Sequence, residues 1–237
     1  PEYEDHMVRV TVGPRQRQVR EARPVSIRHV LTHTSGLTLN PNGAGLSEED
    51  RRWVTNDGEP FATLGERVAR AARIPAAFHP GDHWQYGSST DYVAVLVEKL
   101  SGMTIDAFLK QRIFEPLGMA DSFVSDGEVH PGMATGHRPW FWTKRPMADD
   151  RATSRFTAPQ GGVVASARDV ARYLQTMMNG GDDVITAEHK ELMMRSAGPA
   201  SPYYGLGWVV DRGTVWHTGT SPGIETQATM EPATGRG

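Results

Sequence analysis

The sequence predicts an α+β protein: a mostly helical part over about residues 24–200, followed by strands over about residues 201–237, in a single domain of 237 residues. Three observations carry that expectation. Apolar residues recur at helical spacing through the middle of the chain. Short apolar pieces separated by turn residues fill its end. Glycine and proline punctuate the boundaries between them. A helical lobe packed on an antiparallel sheet follows from that order.

The elements read as follows. Residues 1–24 are polar and arginine-rich, with one alternating piece, Met7-Val8-Arg9-Val10-Thr11-Val12, that suits a marginal strand or an extended arm. Ser26 caps a short helix from Ile27 to about His33, which ends near Gly36. Residues 38–60 hold many Gly, Pro, Asn and Asp and read as loop, with one helical turn near residues 47–53. Residues 63–72 are helical up to the break at Arg73-Ile74-Pro75. An apolar helical pattern begins at Tyr92, places Val93, Val97 and Leu100 on a buried face and ends at Gly102. Thr104 caps the next helix, and Pro116-Leu117-Gly118 stops it. Residues 121–160 read as irregular. Ser166 and Asp169 resemble a capping box before a helix to Asn179, and Thr186 caps another to about Ser196. Residues 205–210 and 215–218 are strands joined by the hairpin signal Asp211-Arg212-Gly213, and residues 225–230 are a third strand.

Composition narrows the function. The net charge of −3 gives no electrostatic reason to expect nucleic acid or an anionic membrane. Mean hydropathy is −0.47, no apolar run approaches a membrane span, and no signal peptide is read. Cysteine is absent, which excludes disulfides, thiol nucleophiles and cysteine-based zinc sites.

The most informative stretch is His79-Pro80-Gly81-Asp82-His83-Trp84-Gln85-Tyr86-Gly87-Ser88-Ser89-Thr90-Asp91-Tyr92. A tyrosine with a hydroxyl residue two places on sits at a loop-to-helix junction. A phenol held at the rim of a cleft can relay a proton if a nearby cation lowers its pKa. The plain alternative is a boundary tyrosine with an exposed hydroxyl.

Five segments in order resemble the serine hydrolases of the class C β-lactamase, D-Ala-D-Ala carboxypeptidase and related esterase superfamily. They are Val25-Ser26-Ile27-Arg28-His29-Val30-Leu31-Thr32-His33-Thr34-Ser35-Gly36-Leu37, residues 80–92, Ile113-Phe114-Glu115-Pro116-Leu117-Gly118-Met119, residues 161–169, and Gly205-Leu206-Gly207-Trp208 followed by His217-Thr218-Gly219. The resemblance implies a β-lactamase and penicillin-binding-protein-like (transpeptidase-like) fold. It also implies hydrolysis of an ester or amide through an acyl-enzyme, on a D-alanyl peptide, a β-lactam or a small ester. Tyr86 matches the tyrosine of the family's Tyr-x-Asn motif, with Ser88 in the asparagine position. His217-Thr218-Gly219 matches the family's Lys/His-Thr/Ser-Gly motif. By the same resemblance Tyr86 and Thr220, the latter through its backbone N–H as oxyanion donor, are the catalytic residues, and Ser88, His217, Thr218 and Gly219 bind substrate. No cofactor and no metal are implied, and relatives of this kind act outside the cytoplasm.

The family's first motif, Ser-x-x-Lys, is missing. The lysines are Lys99, Lys110, Lys144 and Lys190, and three residues before them stand Leu96, Ala107, Phe141 and Ala187. The chain therefore reads as an internal fragment that lacks the nucleophile and is inactive alone, since losing such a group costs on the order of a millionfold in turnover. Its strands over residues 205–231 are expected to pair with a segment not in this sequence or with a second copy. The reading from a different class is a non-catalytic binding or scaffold domain derived from the same fold.

Other signals are weaker. His217 also suits a partly buried strand histidine. His29 and His33 are four apart on a predicted helix, but Val30 stands where a zinc hydrolase needs Glu, so a satisfied pair at a helix end that helps hold the turn at Thr34-Ser35-Gly36 is expected. Gly219-Thr220-Ser221-Pro222-Gly223 fits a nucleophile elbow, but no histidine follows Ser221 and Pro222 has no N–H to donate. Trp140, Phe141 and Trp142 are expected in a loop near the cleft.

Overall fold

The structure, a computed structural model, describes residues 6–12, 15–38, 47–55, 61–126, 128–140, 143–146, 161–179, 184–221 and 223–237. The arginine-rich start is more than an arm. It forms a hairpin of β1 (Met7–Val12) on β2 (Arg15–Arg20), in antiparallel register from Met7 opposite Arg20 to Val12 opposite Arg15. The partner strand reads RQRQVR, with no apolar alternation to announce it. Tertiary contact stabilises it instead. Val8 is fully buried and bridges Ala76, and the Arg9 guanidinium reaches Asp50 at 2.6 Å.

The helical lobe keeps most of the expected helices, with two differences: the single turn expected near residues 47–53 is an eight-residue helix, and Leu100, expected on a buried face, is 82% exposed near the end of its helix. In α1 (Ile27–Leu31) the Ser26 hydroxyl accepts from the His29 N–H, and His29 Nδ1 accepts from the Ser26 N–H, both at 3.2 Å. This is a capping box with an imidazole in the usual place of a carboxylate. Next come α2 (Glu48–Thr55) and α3 (Leu64–Ala71), the latter capped by Thr63. Helix α4 (Ser89–Ser101) starts before the first apolar residue of its pattern, Tyr92, because its first turn is Ser-Thr-Asp rather than apolar. It ends on Gly102 at φ +71°. Helix α5 (Ile105–Leu109) runs into a π turn over Lys110–Phe114. Thr104 makes no side-chain cap; Glu98 Oε1 accepts the Ile105 N–H at 3.0 Å instead, from the end of α4. Val30, Leu64, Val68, Ile74, Tyr92 and Ile105 form the core of this lobe.

Within the stretch expected to be irregular lie β3 (Phe123–Val124), β4 (His137–Trp140) and β5 (Thr143–Pro146). β3 pairs with β6 (Val163–Val164), and β4 pairs with β5. Strands of two and four residues are too short to show a period. In α6 (Ala167–Asn179) Ser166 Oγ accepts the Asp169 N–H, but the other half of the expected capping box is absent. The Asp169 carboxylate turns inward, with no exposure, and accepts from the Asp121 N–H at 2.8 Å, the Ser122 hydroxyl at 2.9 Å and Arg172 at 3.1 Å. Thr186 caps α7 (Ala187–Met193) as expected.

The sheet at the end is β7 (Val209–Asp211), β8 (Thr214–Ser221) and β9 (Ile224–Met230), antiparallel in that order. Arg212 and Gly213, at φ 49° and 85°, make the hairpin turn. Of the strand expected over residues 205–210 only the end is extended. The Gly205 N–H donates to the Trp208 carbonyl at 2.8 Å, which makes residues 205–208 a turn. Val215 and Met230 face each other across β8 and β9 and pack with Leu174, Met177 and Trp208 in a second core. Among the described residues no further strand joins the outer edge of β9. The expected α+β architecture is thus present, with α6 and α7 covering one face of a short sheet.

Candidate functional site

The helical lobe presents a loop, residues 80–88, pinned at several points. The Gly81 N–H donates to the Thr34 carbonyl at 2.7 Å, and the Gln85 N–H to the His33 carbonyl at 2.9 Å. Arg23 donates to the Pro80 carbonyl at 2.6 Å and to Asp82 at 2.9 Å. Below the loop Gly36 sits at φ +75°, and a Cβ there would lie 2.5 Å from the Phe78 carbonyl oxygen, so only glycine fits. The loop holds Tyr86 with its ring half exposed.

The sheet brings His217 to that phenol. Tyr86 Oη lies 3.4 Å from His217 Nε2, although 131 positions separate them in sequence. The same ring nitrogen lies 3.3 Å from Tyr204 Oη. His33 completes the group: its ring centroid is 4.6 Å from Tyr86 and 5.0 Å from Tyr204, the second contact edge-on at 76°. Trp84 lies 5.7 Å from Tyr204. Two lobes therefore meet in one cluster of aromatic and imidazole rings.

The remaining expected site residues divide. Thr218, Gly219 and Thr220 are exposed on β8, next to His217. Alternation along the strand places His217 and Gly219 on the face shared with Val215, and Thr218 and Thr220 on the opposite face. Ser88 is 2% exposed at the N-cap of α4 and makes no cap hydrogen bond. The Ser88 hydroxyl is thus covered in this chain, while the Tyr86 phenol is half exposed. Burial of Ser88 follows from its place where the loop enters the packed first turn of α4.

The histidine pair also separates. His29 serves the capping box, while His33 lies beyond the helix at φ 55°. Its ring meets Tyr86 instead of only bracing the turn at Thr34-Ser35-Gly36. Among the described residues no group of three or more His, Cys, Asp or Glu could hold a metal ion. The backbone of Trp140 lies in β4, and Phe141 and Trp142 lie outside the described residues.

The electrostatics around His33, Tyr86 and Tyr204 favour their neutral forms. Burial, and then the neighbouring His217, lowers the His33 pKa to about 4. Burial raises the Tyr86 phenol above its ordinary value. Burial, and then Tyr86, pushes Tyr204 up as well. In this chain the Tyr86 phenol therefore keeps its proton at neutral pH. A phenol acting as base would need a cation beside it.

Sequence reasoning missed Tyr204, Trp84 and the ring contacts of His33. Trp84 lies within the singled-out loop and His33 within the first resembling segment, but nothing in their spacing points to a shared cluster. Tyr204 stands one residue before Gly205-Leu206-Gly207-Trp208, and only the turn that follows carries it to His217.

A family described as Beta-lactamase matches residues 12–237, and the chain belongs to it. The chain is 31% identical over 229 residues to Esterase EstB from Burkholderia gladioli, covering 83% of this chain and 58% of that protein. It is 29% identical over 223 residues to Penicillin-binding protein 4* from Bacillus subtilis (strain 168), covering 85% of this chain and 48% of that one. It therefore spans about half the length of these relatives. Among solved structures it is similar in fold to EstCE1, titled a hydrolase with promiscuous acyltransferase activity, at TM-score 0.73 and 19% identity over 92% of this chain and 66% of that one. It is similar also to simvastatin synthase LovD from Aspergillus terreus, at TM-score 0.66 and 20% identity over 97% and 65%. The penicillin-binding-protein and β-lactamase-like fold is thereby established.

Proposed function

We propose that this chain supplies the phenol and imidazole side of a serine-hydrolase site that cleaves an ester or amide through an acyl-enzyme. The contact between Tyr86 and His217 carries the reading, since it joins two segments matched to separate family motifs. Small esters are the favoured substrate class, supported by the similarity to Esterase EstB and to the lovastatin esterase of Penicillium rubens. A D-alanyl peptide or a β-lactam is the runner-up, supported by the similarity to Penicillin-binding protein 4*.

In the proposed reaction a serine from a Ser-x-x-Lys segment outside these 237 residues attacks the carbonyl carbon. Its proton passes to the paired lysine, and the tetrahedral oxyanion is held by the serine N–H and the Thr220 N–H. Tyr86 donates its proton to the departing alkoxide or amine and recovers one from the lysine. Water then attacks the acyl-enzyme and the serine leaves with its proton restored. His217, Thr218 and Gly219 line the strand against which the substrate lies, and Ser88 underpins the loop. No cofactor or metal enters the scheme. The substrate is met outside the cytoplasm, and the edge of β9 pairs with a further strand. Among the described residues no helix is long and apolar enough to cross a membrane.

The test is intact mass after treatment with a fluorophosphonate. The 237-residue chain takes no adduct, and the chain extended by a segment carrying Ser-x-x-Lys takes one. An adduct on the shorter chain overturns the assignment of the nucleophile. No adduct on the extended chain favours a binding or scaffold domain, a reading supported by the missing Ser-x-x-Lys.

A further inference from the structure

His217 Nε2 stands between two phenols, 3.3 Å from Tyr204 Oη and 3.4 Å from Tyr86 Oη. A ring nitrogen has either one lone pair or one N–H, so it makes one well-aligned hydrogen bond. The two phenols are not equivalent. Tyr86 is 49% exposed, whereas Tyr204 is 3% exposed.

The backbone of Tyr204 is also held on several sides. Its N–H donates to the Ser201 carbonyl at 3.4 Å. Its carbonyl accepts from the Ala197 N–H at 3.0 Å and from the Ser201 hydroxyl at 3.2 Å. The following Gly205 is so tightly packed that a Cβ would lie 2.1 Å from the Met193 carbonyl oxygen. The phenol therefore arrives at His217 on a rigid support, with the His33 edge and Trp84 closing around it.

We infer that Tyr204 is the positioning residue for His217: its buried hydroxyl donates to Nε2, fixes the imidazole as the tautomer protonated on Nδ1, and leaves the Tyr86 hydroxyl uncommitted. The reverse arrangement, with Nε2–H donating to the Tyr204 oxygen, would leave a buried hydroxyl proton without an acceptor, which folded proteins avoid. Burial raises the Tyr204 pKa, so its proton stays in place as a donor. The division of labour follows from exposure. The buried phenol orients the imidazole, and the exposed phenol stays free to give up its proton.

This inference rests on the proposed function only for the chemical role of Tyr86. Its test needs no catalysis, so the two can fail separately. The 237-residue chain is labelled with ¹⁵N-histidine, and long-range ¹H–¹⁵N correlations are read at about pH 9, well above the ordinary histidine pKa. The His217 signals are assigned by their loss in His217→Asn. Nε2 is expected to be unprotonated and Nδ1 protonated in the unmodified chain. Tyr204→Phe should shift Nε2 toward the protonated form, and Tyr86→Phe should leave the pattern in place. A proton on Nε2 in the unmodified chain overturns the inference. So does a Tyr204→Phe spectrum unchanged at His217, or a Tyr86→Phe shift as large as that of Tyr204→Phe. If Tyr204→Phe does not fold, the unmodified chain and Tyr86→Phe decide the matter.

Discussion

The imidazole of His33 packs on the ring of Tyr86, with centroids 4.6 Å apart and planes tilted by 39°. The His33 carbonyl accepts from the neighbouring Gln85 N–H at 2.9 Å, so backbone and side chain hold the loop at the same place. His33 does this at φ 55°, a conformation that costs a non-glycine residue on the order of 1–2 kcal/mol. Its Nδ1 is buried without a hydrogen-bond partner. A strained, desolvated imidazole under a phenol sets up the first prediction.

Acid should destabilise the fold through His33. Its pKa falls from the model-compound value of 6.5 to about 4 in the folded chain. The unfolded ring therefore takes up a proton near pH 6.5 while the folded one resists until about pH 4. Between those values the unfolded state binds more protons, so stability is full above 6.5 and declines as the pH falls toward 4. The whole effect is worth about 3 kcal/mol. Urea unfolding from pH 7.5 to 4.0 should show this slope, and His33→Asn, which tolerates the left-handed backbone, should flatten it.

The Tyr86 phenol should ionise late. Burial raises its pKa, so in this chain it stays protonated through the pH range in which an exposed tyrosine titrates. The difference in ultraviolet titration between the unmodified chain and Tyr86→Phe isolates it. A difference curve centred at or below the ordinary phenol value would contradict the site electrostatics.

Arg67→Ala should loosen the base of the site. The Asp91 carboxylate, with no exposure, accepts from Arg67 at 2.8 Å in the first turn of α4, just past Tyr86. Removing the guanidinium strips a fully buried carboxylate of this cation, a change that costs about 3–5 kcal/mol when it breaks a buried pair. Chemical denaturation measures the loss. Arg67→Ala paired with Asp91→Asn should recover part of it.

Two glycines should respond unequally to alanine. At Gly205 a Cβ would lie 2.1 Å from the Met193 carbonyl oxygen, a backbone atom, and the chain must shift to admit it. At Gly102 the new Cβ meets nothing within 4 Å, so only the φ of +71° is penalised. Gly102→Ala should cost about 1 kcal/mol. Gly205→Ala should cost more than about 3 kcal/mol and displace Tyr204 with it. Thermal unfolding ranks the two.

Much of this fold is legible in the sequence. Most of the helices follow from apolar spacing and from Ser26 and Thr186 at their starts, because those signals are local, whereas α2 shows in the sequence only as one turn within a loop. Tyr86 and His217 stood out because each sits in a short motif of recognisable chemistry. The second strand of the N-terminal hairpin was not legible, since RQRQVR is a strand only through its partner. Glu98 replacing Thr104 as a helix cap, and Asp169 turning inward, were hidden for the same reason: the deciding atoms come from distant positions.

The sequence by itself determined the class of the fold and the family, and it singled out Tyr86 and His217, because residue type and near-neighbour spacing carry those signals. Only the tertiary structure decided that Tyr204 and His33 join Tyr86 and His217, that Ser88 is buried, and which groups stay uncharged. Those outcomes depend on desolvation and on contacts between residues far apart along the chain, and no local pattern carries either.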